Sequence, residues 1–133
     1  MKKLLNREEQ ESYLYSKIGD SVNFTYPQDE GDMTGELIDR IVFFGSEYGS
    51  IVYWNMIDLI RFEEEDEEWL RITYYRYNKE KRRWIYAGQT SMSDPVSSFE
   101  EMFVTAIKEK EWMRNLFKKI YEKCKKEIDF KSQ

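Results

Sequence analysis

Asp58 is the carboxylate placed to do chemistry. If residues 51–62 keep the two-residue period of a strand, Asp58 shares a face with Val52, Trp54, Met56, Ile60 and Phe62. A carboxylate among such neighbours either pairs with a cation, Arg40 and Arg61 being the candidates, or has its pKa raised, which is how general acids are made. The competing expectation is a bulge near Asn55 that turns Asp58 to solvent, or an ion pair with a purely structural role.

A second constellation lies between residues 70 and 86, where six basic side chains face the lone Glu80 and alternate with aromatic rings. Cations that hold phosphates beside rings that stack bases are what single-stranded nucleic-acid binding requires, and Arg71, Tyr75, Arg82, Arg83 and Trp84 would carry it. The same residues suit a hairpin whose rings are half-buried and whose cations answer the acidic run 63–68. Two polar stretches, 45–49 and 89–94, read as a glycine-bounded turn and a plain connection.

Composition removes much familiar chemistry. There is no histidine, so His-dependent triads and two-His metal sites are excluded, and no cofactor or metal is expected. The one cysteine, Cys124, cannot close an internal disulfide and falls at an apolar position of a helical pattern. A carboxylate or tyrosine catalyst is all that remains for an enzyme, and a non-enzymatic role is the expectation. Net charge is −5, yet residues 1–69 hold 6 basic and 17 acidic side chains while 70–133 hold 15 and 9. Such a split suits halves that attract each other or a charged partner.

The elements that must position these residues read clearly. Asn6 caps a first helix with Glu8, Glu9 and Glu11 near its N-terminal end and Gly19 as its stop. A short strand from Ser21 to Tyr26 and an acidic loop from Pro27 to Gly35 follow, then a strand from Glu36 to Phe44, the central strand, and a hairpin with strands at 70–77 and 82–88. A capping box at Ser97/Glu100 or Ser98/Glu101 opens a helical stripe from Phe99 through Met102 and Phe103 to Ile128. Unbroken, it would be about 45 Å long, so it either breaks near residues 108–111 or projects towards a second copy.

The expected fold is therefore α+β in a single domain, 1–133: an antiparallel meander of about five strands, with an N-terminal helix and one long or broken C-terminal helix packed on one face. The leading functional expectation is a small cytoplasmic interaction or regulatory domain that binds a protein partner or itself. One rival is an apolar-ligand cavity between sheet and C-terminal helix, lined by Trp54, Met56, Phe99, Met102 and Phe103, with Asp58 acting on the ligand. The other is nucleic-acid binding through the 71–86 hairpin, against which the acidic balance of the chain speaks. No membrane association is expected: the opening six residues resemble a signal peptide, but the charges of residues 7–11 interrupt it, and no apolar run spans a bilayer.

Overall fold

The structure, a computed structural model, describes residues 2–25, 32–63, 67–86 and 92–128. The chain divides into two compact units, residues 1–92 and 93–133. Residues 27–31 of the expected acidic loop fall outside the described residues, as do 64–66 of the 63–68 run and 89–91 of the 89–94 connection.

The first unit opens with α1 (Arg7–Tyr15), which starts where its cap dictates. The Asn6 side chain accepts the Glu9 N–H at 2.8 Å, and the Glu9 carboxylate accepts the Asn6 N–H at 3.0 Å, a reciprocal capping box. That backbone hydrogen bond, helped by the Lys3 ammonium, holds the Glu9 carboxyl below the ordinary carboxylate range. Its share of the cap is therefore complete at neutral pH and is lost as pH falls through and below that range. Asn6→Ala should lower stability by about 1 kcal/mol in urea unfolding at pH 7, and the deficit should persist on acidification, because alanine keeps the backbone N–H that the Glu9 carboxylate accepts. Gly19, at φ +98°, ends the helical region and donates its N–H to the Leu37 carbonyl at 2.7 Å, tying the helix exit to the sheet.

Five strands follow in simple sequence: β1 (Ser21–Thr25), β2 (Asp32–Tyr48), β3 (Ile51–Phe62), β4 (Glu68–Asn78) and β5 (Arg83–Tyr86), each antiparallel to the next. This curled meander is the expected α+β arrangement, with three differences of detail. β2 begins at Asp32 rather than Glu36, so residues 32–35 of the expected loop are strand paired with β1. β2 does not stop at Phe44; it runs through Gly45 to Tyr48, and Gly49, at φ +57°, makes the turn into β3. β2 also carries two bulges, between Leu37 and Asp39 and between Phe44 and Ser46, rather than the one weighed near Asn55 in β3.

Those bulges set which residues share the face covered by α1. Its apolar cluster joins Leu14 of the helix to Val42, Val52, Trp54, Met56 and Tyr77, and a second cluster on the same face gathers Leu37, Ile60 and Phe62. Besides the Arg7–Glu47 ion pair at 3.7 Å, three hydrogen bonds dock the helix. Trp54 Nε1 donates to Gln10 Oε1 at 2.8 Å, the Val42 N–H donates to the Tyr15 hydroxyl at 3.1 Å, and Arg40 Nη1 donates to the Leu14 carbonyl at 3.0 Å. The last of these adds to the long Lys17 N–H bond, 3.4 Å, at a carbonyl of the last turn, and its cation suits that end of the helix dipole. The middle of β3 is buried on both faces, as its crowding with β-branched and aromatic residues implies.

The second unit is a helix pair, α2 (Val96–Glu109) and α3 (Glu111–Glu127). The long stripe does break: Lys110 takes extended backbone, φ −121° and ψ 122°, and serves as the end of one helix and the start of the next. Neither expected capping box forms, because α2 begins one residue before Ser97 with Pro95 at its cap, leaving both serines inside the first turn. Phe103 and Phe117 join the helices, ring centroids 5.5 Å apart, and Arg114 Nη2 bonds the Lys108 carbonyl across the break at 3.0 Å. Among the described residues no helix is long and apolar enough to cross a membrane.

Candidate functional sites

The two apolar clusters on this face of the sheet are separated by one charged row. Arg40 of β2 stands opposite Asp58 of β3, which in turn stands opposite Arg71 of β4. Asp58 is fully buried and receives four N–H bonds: Arg40 Nε at 2.7 Å and Nη2 at 3.1 Å, Arg71 Nε at 3.1 Å and Nη2 at 2.9 Å. Arg40 is 1% exposed, so two guanidiniums and one carboxylate lie together in the interior. Of the readings open for Asp58, the buried ion pair is the one present; Arg61, the other candidate partner, pairs instead with Glu68 at 3.3 Å.

The row reaches the edge of an open cavity of about 200 Å³ within the first unit. Lys17 and Asp20 after α1, residues 21–23 of β1, Leu37 and Arg40 of β2, Arg71 and Tyr75 of β4 and Tyr86 of β5 line it. The tyrosine rings sit 4.7 Å apart, with the Arg40 guanidinium 5.8 Å from the Tyr75 centroid and that of Arg71 5.5 Å from the Tyr86 centroid. Burial pushes the Tyr75 phenol up, against the opposing pull of Arg40, so its hydroxyl is a neutral donor throughout the physiological range.

The residues expected to line an apolar cavity are divided between the two units. Trp54, Met56 and Asp58 belong to the first unit, where Leu14 and Gln10 of α1 occupy the space against the two apolar side chains and the guanidiniums engage the acid. Phe99, Met102 and Phe103 belong to α2 in the second unit, with Met102 buried and Phe103 stacked towards α3.

The nucleic-acid set does not share a surface either. Arg71 and Tyr75 point to the α1 face, and Trp84 packs there on Tyr13 with parallel rings 5.1 Å apart. Arg82 sits in the turn at φ 55° and donates to the Lys2 carbonyl at 3.1 Å, while Arg83 pairs with Asn78 in the register row that faces the other way. The rings are spent on each other, in a chain from Tyr13 through Trp84 to Tyr75, Tyr77 and Tyr86.

A different surface emerges on α3. Met113 is fully buried, but the stripe that continues it is not: Leu116 is 36% exposed, Ile120 44%, Tyr121 56% and, just past the helix, Ile128 51%. Cys124, half-buried, lies on the same stripe. At 100° per residue Lys119 and Lys123 border it on one side and Arg114, Lys118 and Lys125 on the other. The helix holds six basic residues against three acidic ones.

No group of three or more His, Cys, Asp or Glu residues able to hold a metal occurs among the described residues. The fold defines a class, an α+β protein whose curled five-stranded meander wraps one N-terminal helix. Comparison with protein-family models, curated proteins and solved structures finds no match to this chain.

Proposed function

We propose that this protein is a non-catalytic interaction module of the cytoplasm, and that α3 is its contact element. The observation that carries the reading is the half-exposed apolar stripe of Leu116, Ile120, Tyr121 and Ile128 on a helix that buries Met113 alone. An amphipathic helix that keeps such a stripe in water gains by docking it into another surface. The borders of the stripe choose the partner. Lysine and arginine flank both sides, so two α3 helices laid face to face would bring like charges together, whereas a protein surface with carboxylates around an apolar patch complements both features.

Ile120→Asp tests this in the full chain. Because Ile120 is 44% exposed, the change should leave folded stability within about 0.5 kcal/mol while weakening association at least about tenfold. Native mass spectrometry and pull-down from the source cell, wild type beside variant, read the association, and protection of Cys124 from maleimide reports whether the stripe is covered. A stoichiometric partner with an acidic-rimmed surface, lost in the variant, supports the reading; a homodimer lost in the variant would move the contact to a second copy. A strict monomer with no partner and a freely labelled Cys124 would end it.

A further inference from the structure

The Arg40–Asp58–Arg71 row is a poor choice if stability were its whole purpose. Burying ions costs several kcal/mol each, and apolar side chains of similar volume would serve the core as well or better. The two apolar rows that flank it show that this face accepts such residues, with Val42 opposite Met56 on one side and Leu37 opposite Ile60 on the other. What the charged row does provide is orientation. Asp58, with no exposure of its own, locks each guanidinium through two hydrogen bonds, and both guanidiniums help line the cavity.

From this geometry we infer a binding site for a small organic anion, a carboxylate or phosphate carried on a single flat ring, in the cavity between Arg40, Arg71, Lys17, Tyr75 and Tyr86. Lys17, Arg40 and Arg71 line the cavity with Asp20, and with Asp58 behind the two guanidiniums the balance is three cations to two acids, a net positive charge of one. Both guanidiniums already give Nε and Nη2 to Asp58, so they attract a carboxylate or phosphate by charge rather than through that paired edge. Tyr86, the exposed end of that chain of rings at 42% and with Arg71 beside it, offers a face on which a second ring stacks. Volume sets the size: about 200 Å³ lies below the roughly 300–1,000 Å³ of pockets for drug-sized ligands, which leaves room for one ring and its acid group. The neutral phenol of Tyr75 adds a donor without adding a repelling charge.

Isothermal titration of the full chain with phenyl phosphate, benzoate and the neutral benzamide tests the site. At least one anion should bind about tenfold or more tighter than benzamide, with affinity falling as salt rises. Preference for phenyl phosphate assigns the natural ligand to phosphates, and preference for benzoate to carboxylates; either supports the site. Arg71→Gln should weaken the preferred anion at least about tenfold while keeping the Arg40–Asp58 pair whole. Lys17→Gln, outside the buried row, should weaken it by a smaller factor with no change in melting temperature, which separates binding from folding. Equal binding of benzamide, no heat from either anion at millimolar concentration, or wild-type affinity in both variants would each overturn the inference.

Discussion

Asp58→Ala should cost about 3–5 kcal/mol of unfolding free energy, among the largest single-site losses expected in this chain. The reason is asymmetric. Alanine removes the carboxylate bonded to both Arg40 and Arg71, and leaves Arg40, at 1% exposure, a buried charge without that counter-ion. With native domains stable by about 5–15 kcal/mol, such a loss brings the first unit close to unfolding at ambient temperature. Urea unfolding followed by circular dichroism measures it. The control is to replace the whole row at once, Arg40→Met with Asp58→Leu and Arg71→Met, which should come out neutral or stabilising by up to about 4 kcal/mol because no charge is left buried. A single Asp58→Ala within 1 kcal/mol of wild type would mean that the row is solvated in solution. A triple variant as unstable as the single one would mean that the ions hold the fold in a way apolar packing cannot replace.

Trp54→Ala should cost a comparable 3–5 kcal/mol, by another route. Trp54 is 2% exposed at the centre of the α1 face, so alanine leaves a cavity that Leu14, Val42 and Met56 cannot close without moving the helix. It also strands Gln10, itself 1% exposed, whose carbonyl oxygen accepts the indole N–H at 2.8 Å. Trp54→Phe separates the two contributions, because it keeps most of the packing volume and loses the hydrogen bond, and should cost about half as much. Thermal unfolding of both variants, followed by the fluorescence of the remaining Trp69, Trp84 and Trp112, checks the order. Equal losses would assign the whole effect to the Gln10 bond.

Much of the architecture was legible because local physics writes it locally. Asn6 with Glu9 marked the first helix, glycines marked the turns, and the lapse of the stripe at residues 108–111 marked the helix break that falls at Lys110. The candidate site was legible only in part. Asp58 stood out as a carboxylate in an apolar alternation, yet Arg40 and Arg61 remained equal candidates for its partner, and Arg71 was assigned to a nucleic-acid surface. Gln10, which holds Trp54, carried no signal at all, being a polar residue among polar neighbours in an exposed-looking helix. The serine caps proposed for α2 failed because a capping box matches residue types three apart, and Pro95 provided a competing start.

The sequence by itself determined the meander, the helices at either end and the oddity of Asp58, since periodicity, caps and turn residues act over a few neighbours. Only the tertiary structure decided what Asp58 meets. Leu37 and Arg40 have opposite parity in the chain, and strict alternation would put them on opposite faces; the extra residue at the Leu37/Asp39 bulge places both under α1 and sets Arg40 against Asp58. A one-residue slip of this kind is invisible in residue types, because it depends on how two strands pair across the whole sheet. The exposure of α3 belongs to the same category: an apolar stripe looks the same in the sequence whether it is covered or left in water.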